Sequence, residues 1–135
     1  MLINLSNHPF EKWSQNQLEA AKLYGSIVDL PFPTIDPQAE TFDIDFLADK
    51  YEIKIRKLLA NEPKGMKSVH VMGELTFCFA LVVRLQKYGI TCVSSTTTRQ
   101  TTDHPDGSKT TRFGFVRFRE YCLPGQDLYP KLNLK

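Results

Sequence analysis

Residues 68–89, SVHVMGELTFCFALVVRLQKYG, decide the architecture. Ser68–Met72 is a short apolar run, Gly73 follows it without a linker, and Glu74–Tyr88 continues as a long apolar stretch that Gly89 stops. A strand that runs through one glycine into a helix is the building unit of a parallel sheet, since parallel neighbours are joined by crossovers. The helix is apolar nearly all round, through Leu75, Phe77, Cys78, Phe79, Ala80, Leu81, Val82, Val83 and Leu85. Such a helix is covered on two sides, and in so small a chain one of those sides is expected to meet a second subunit.

Working outward, the same alternation recurs. Met1–Asn7 reads as a buried strand stopped by Asn7-His8-Pro9. Ser14 caps a helix over Gln15–Tyr24, with Gln17 at the capping-box position and Gly25 as its stop. Ser26–Leu30 is a second strand, closed by Pro31-Phe32-Pro33. A longer helix follows at Thr41–Asn61, in which Phe42, Phe46, Leu47, Ile53, Ile55, Leu58 and Leu59 form the expected inner stripe. Downstream, Ile90–Ser94 is a fourth strand trailing into Ser95–Arg99. The Asp106-Gly107 turn then makes residues 96–120 a hairpin whose second strand is Thr111–Glu120. Strand-helix alternation closed by a hairpin predicts a three-layer α/β domain over residues 1–122, with a loose tail at 123–135. The sheet is expected in the order 2-1-3-4-5, mostly parallel with an antiparallel C-terminal edge strand, in a Rossmann-like arrangement.

Composition excludes several function classes. The 135 residues carry a net charge of +2, split into an acidic half (residues 1–63, six Lys/Arg against ten Asp/Glu) and a basic half (eleven against five). That balance is too slight for wrapping duplex nucleic acid and suits a small anionic ligand or two differently charged faces. The longest apolar run, at residues 77–83, falls far short of the ~20 residues of a membrane span. The start lacks the basic segment and cleavage site of a signal peptide, and Cys78, Cys92 and Cys122 have no metal-type spacing. Reduced thiols in a cytoplasmic protein, with no metal and no cofactor, are the expectation.

In an open α/β sheet, ligands bind at the carboxyl ends of strands beside the point where strand order reverses. With the expected order that point lies between strands 1 and 3. It receives Ser6, Asn7 and His8, then Gly73, Glu74 and Thr76, then Ser95, Thr96, Thr97 and Arg99. Gly73 before a helix start lets backbone N–H groups approach an anion, although a tight turn alone would also require it. The hydroxyl run with Arg99 offers phosphate partners, although threonines also simply favour strands. His8 can exchange protons near neutral pH, or be plain loop decoration. Trp13 either stacks on a base or packs as a staple before Ser14. His70 alternates within its strand as a structural residue. No dinucleotide or Walker-type glycine pattern is present.

The opening Ile3-Asn4-Leu5-Ser6-Asn7-His8-Pro9, with Trp13-Ser14-Gln15-Asn16-Gln17 and Gly25-Ser26-Ile27-Val28-Asp29-Leu30-Pro31, resembles small stand-alone CRISPR-associated Rossmann-like proteins, relatives of the CARF and ring-nuclease group. The layout agrees along most of the chain; the specific motif lies in residues 3–31. The resemblance implies a homodimer of CRISPR antiviral defence that binds cyclic oligoadenylate, or another adenine nucleotide, across its two-fold. Some such proteins cleave the ring without metal by setting the ribose 2′-OH against the adjacent phosphate. On that mapping Ser6, Asn7 and His8 meet the ligand first, Gly73, Glu74 and Thr76 surround the phosphates, and Thr96, Thr97 and Arg99 form a third wall. His8 would protonate the leaving oxygen and Glu74 would be the base, although no residue matches a family acid or base motif. The alternative from another class is a Rossmann-like interaction module without a small ligand.

Overall fold

The computed structural model describes residues 1–125. Its elements are β1 (Leu2–Leu5), α1 (Gln15–Lys22), β2 (Ile27–Asp29), α2 (Thr41–Leu58), β3 (Ser68–Val71), α3 (Leu75–Gln86), β4 (Thr91–Asp103) and β5 (Lys109–Glu120). They form one five-stranded sheet in the order β2-β1-β3-β4-β5. The first four strands pair in parallel, and β5 returns antiparallel beside β4 at the edge. The fold is α/β and Rossmann-like, as the strand–glycine–helix unit predicted. Most of the expected tail, residues 126–135, lies outside the described residues.

Because strand side chains alternate, the two sheet faces build two cores. Ile3, Leu5, Val69, Val71 and Cys92 face α2 and α3 and are fully or almost fully buried. Leu2 and Val93 face the other way, where Trp13, Ala21 of α1 and Phe118 of β5 cover them. Ser14 caps α1 as expected, accepting from the Gln17 N–H, and Gly25 follows with φ +98°, a left-handed conformation that glycine adopts without strain.

Helix α2 turns inward only part of the stripe that periodicity suggested. Ile44, Ala48, Ile55 and Leu59 pack on the core, whereas Phe42, Phe46, Ile53 and Leu58 are exposed. Two apolar stripes coexist on this helix, and the expected set mixed them. Helix α3 is likewise covered on one side only: Phe77, Cys78, Leu81, Val82 and Leu85 are buried, but Leu75 and Phe79 stand out at 82% and 72% exposure. Arg84 ties the two helices together through Asp45 and Asp49.

The hairpin over residues 96–120 forms as expected, but its first strand is longer than its sequence suggested. β4 continues through the polar stretch to Asp103, and a turn closed by His104 N–H to the Ser108 carbonyl (2.8 Å) returns the chain at Lys109. A bulge breaks the register, with Thr96 opposite Arg117 but Thr97 opposite Phe115, so Val116 is the extra residue. The extra residue shifts the alternation by one, which brings Phe118 onto the face of Phe113 and Phe115. This explains why Phe113, Phe115, Val116 and Phe118 alternate only imperfectly with Arg112, Arg117 and Arg119 along that strand.

Candidate functional site

A cleft of about 650 Å³ opens at the carboxyl ends of β1, β3 and β4, where strand order reverses. Ser6, Asn7 and His8 enter from the exit of β1, and Met72 and Gly73 from that of β3. Lys12, Trp13, Ser14 and Gln17 come from the 3-10 turn at Phe10–Lys12 and the start of α1. Ser95 and Thr97 of β4, with Phe113, Gly114 and Phe115 of β5, form the far wall. The hairpin reaches beyond the end of β3, and that overhang turns a strand edge into an enclosure.

Seven of the residues singled out in the sequence therefore meet: Ser6, Asn7, His8, Trp13, Gly73, Ser95 and Thr97. Four do not line the cleft. Thr96 points to the opposite side of β4 and bonds the Arg117 backbone. Arg99 lies two residues beyond Thr97 along the hairpin, opposite Phe113 and exposed. Glu74 is the N-cap of α3: its carboxylate accepts from the N–H groups of Thr76 and Phe77 at 3.0 and 2.8 Å and from the Thr76 hydroxyl. Those bonds hold its carboxyl below the ordinary range, the Thr76 hydroxyl most of all. The amides expected to meet a phosphate are already taken by Glu74 itself. Gly73 also has a packing reason, since a Cβ there would lie 2.2 to 2.7 Å from atoms of the Phe32 ring.

Trp13 is nearly buried, edge-on to His70 and tilted against Phe118, so its faces are occupied by protein. Its indole N–H donates to the His8 carbonyl at 3.2 Å. It positions the His8 turn; it is not an open stacking surface. The exposed ring in the cleft is Phe113.

Beneath the cleft lies a hydrogen-bonded row across three strands. Register places Asn4 beside His70, and Ser95 follows two residues past His70's partner Val93. The Asn4 amide donates to the His8 carbonyl and to Asp29 Oδ1, both at 2.8 Å, which aims Asn4 Oδ1 at His70 Nδ1, 2.9 Å away. Nδ1 therefore carries the ring hydrogen, and Nε2 faces the Ser95 hydroxyl at 3.3 Å. Burial depresses the His70 pKa to about 4, so the ring is neutral at physiological pH.

A family model described as the uncharacterized protein MJ1673 family matches residues 1–119. The chain belongs to that family. The matched span takes in every strand and helix of the fold except the last residue of β5, so all the cleft residues fall within it. No curated protein and no solved structure matches the chain.

Several members of this site were invisible in the sequence. Lys12 and Gln17 gave no signal beyond an ordinary amphipathic helix start. Phe113 and Phe115 looked like core alternation on an edge strand. Asn4 and His70, 66 residues apart, become partners only through strand register. Among the described residues, no three His, Cys, Asp or Glu side chains gather as a metal site. None of the described helices is long and apolar enough to cross a membrane.

Proposed function

We propose that the cleft binds an adenine nucleotide ligand, of the cyclic oligoadenylate class that the opening motif points to, in a homodimer. One observation carries this reading: Ser6, Asn7 and His8, three residues of the opening motif, open into a nucleotide-sized cleft opposite an exposed phenylalanine. Phe113 offers a face for a base. Lys12, His8 and the hydroxyls of Ser6, Ser14 and Thr97 offer charge and hydrogen bonds to phosphate and ribose. Cleavage is the narrower part of the proposal. His8 remains the candidate acid, since it lines the cleft, whereas Glu74 is committed to its helix cap.

The test is a thermal-shift and calorimetric series with adenine nucleotides and cyclic oligoadenylates. A ligand at 100 to 1,000 times its Kd stabilises by roughly 3–4 kcal/mol. Absence of any shift across the series refutes the reading. It would favour the second one, an interaction module, which rests on the uncovered apolar residues Phe42, Phe46, Leu75 and Phe79 of α2 and α3.

A further inference from the structure

We propose that Ser95, His70 and Asn4 form a nucleophile–base–orienter relay, and that Ser95 takes a phosphoryl group from a phosphate ester bound in the cleft. The substrate class rests on the nucleotide reading above; the relay rests on geometry alone. A serine hydroxyl is a weak nucleophile until a base within hydrogen-bond reach removes its proton, and the base must be held in the right tautomer by a third group. All three conditions meet here.

The third group comes first. Asn4 is 1% exposed, and its Nδ2 donates to two groups that can only accept, the His8 carbonyl and the Asp29 carboxylate. The amide therefore cannot be reversed, and its oxygen fixes the hydrogen of His70 on Nδ1. Among the described residues, the lone pair on Nε2 is left with one donor in reach, the Ser95 hydroxyl at 3.3 Å. Met72 Sδ also approaches that oxygen, at 2.8 Å, but a thioether is a weak acceptor and leaves the proton to the imidazole. His70 is 2% exposed and Ser95 half-buried at the cleft wall, so a ligand meets the hydroxyl rather than the ring.

In the reaction, Ser95 Oγ attacks phosphorus as its proton passes to Nε2. The bond from phosphorus to the leaving ester oxygen breaks, and that oxygen receives the proton from the imidazolium. Water then attacks the phosphoserine, with His70 again accepting the proton; the phosphorus–Oγ bond breaks and Oγ takes that proton from the imidazolium, which restores Ser95 and the neutral imidazole. Lys12, the one ammonium lining the cleft among the described residues, supplies positive charge toward the phosphoryl oxygens.

The experiment treats the whole chain with an alkyl fluorophosphonate, in which serine attack expels fluoride, and locates the adduct by peptide mass spectrometry. The expected result is a single adduct on Ser95, absent from Ser95→Ala and formed on the order of 100-fold more slowly in His70→Gln. Ser6 and Thr97 line the same cleft without an imidazole behind them and should stay unlabelled, a comparison that holds even if His70→Gln fails to fold. No adduct on the wild type, or adducts on Ser6 or Thr97 at the rate of Ser95, overturns the relay. Labelling of Ser95 without any nucleotide-induced thermal shift upholds the relay and refutes the ligand reading. Nucleotide binding without labelling does the reverse.

Discussion

The buried imidazole makes stability depend on acidity in a defined window. His70 sits among Asn4, Ser95 and the rings of Trp13 and Phe118, and among the described residues no opposite charge bonds to it to support an imidazolium. Its pKa falls from 6.5 in the unfolded chain to about 4 in the fold, because burial penalises the charged form. Between those values the unfolded chain binds a proton that the native state refuses, so stability rises with pH across the window. The contribution is complete above pH 6.5 and is lost as pH falls through about 4. At 1.36 kcal/mol per unit, the shift is worth roughly 3 kcal/mol, a large part of a typical domain's stability. Every other group that changes protonation over this range is shared with a His70→Gln variant and contributes equally to both proteins. The measurement is therefore the difference in unfolding free energy between wild type and His70→Gln, from urea titrations at pH 7 and pH 4. Whatever the substitution costs at pH 7, the gap should narrow by roughly 3 kcal/mol at pH 4. A gap that stays constant, or a His70 ring resonance titrating near 6.5, would refute the reasoning.

Other perturbations follow from the same contacts. Gly73→Ala should destabilise by about 1–3 kcal/mol, because its Cβ must displace the Phe32 ring; Phe32→Leu should recover part of that loss in thermal melts. Glu74→Ala should cost about 1 kcal/mol as a lost N-cap while leaving nucleotide affinity unchanged by calorimetry. Phe113→Ala should weaken nucleotide binding by about 1–3 kcal/mol, whereas Arg99→Ala should leave it within error, reversing the weight the sequence put on Arg99. The double variant Leu75→Glu/Phe79→Glu should melt like the wild type and elute as a ~15 kDa monomer if those exposed side chains form the two-fold contact; an unchanged dimer mass in light scattering would place the contact elsewhere.

The strand order was legible because each crossover carries one recognisable helix and because Gly73 joins strand to helix without a linker. Handed those two facts, topology rules leave few arrangements. The position of the cleft followed from the order. Its chemistry did not. Asn4 and His70 occupy positions that an apolar residue could fill in a buried strand, and only register sets them side by side. Glu74 looked like a base because the sequence shows a carboxylate at a helix start, a pattern shared by active sites and by ordinary caps. On α2, the small Ala48 and the buried Glu52 dilute the true inner stripe, while Phe42 and Phe46 advertise the wrong one. The outer part of β4 was not read as strand because threonines paired in an uncovered ribbon show no apolar alternation, yet their β-branched side chains suit a strand.

The bulge at Val116 connects fold to site more directly than any single side chain. A two-stranded ribbon is marginal in water by itself, so the overhanging part of β4 and β5 must draw stability from its root. At the root, Phe118 packs against Trp13, Tyr24, His70 and Phe115, with ring centroids 5.0 to 5.9 Å apart. Without the extra residue, Phe113 and Phe118 would fall on opposite faces of β5. Either the root would lose its aromatic anchor or the cleft its exposed ring. With it, one face of the strand carries Phe118 into the core and Phe113 and Phe115 over the cleft, while the arginines Arg112, Arg117 and Arg119 stay exposed and keep the edge charged. The same Trp13 that meets Phe118 also holds the His8 carbonyl, and the same His70 meets Ser95. Both walls of the cleft thus hang on one aromatic cluster. A substitution that loosens it, such as Phe118→Ala, should disturb both walls at once.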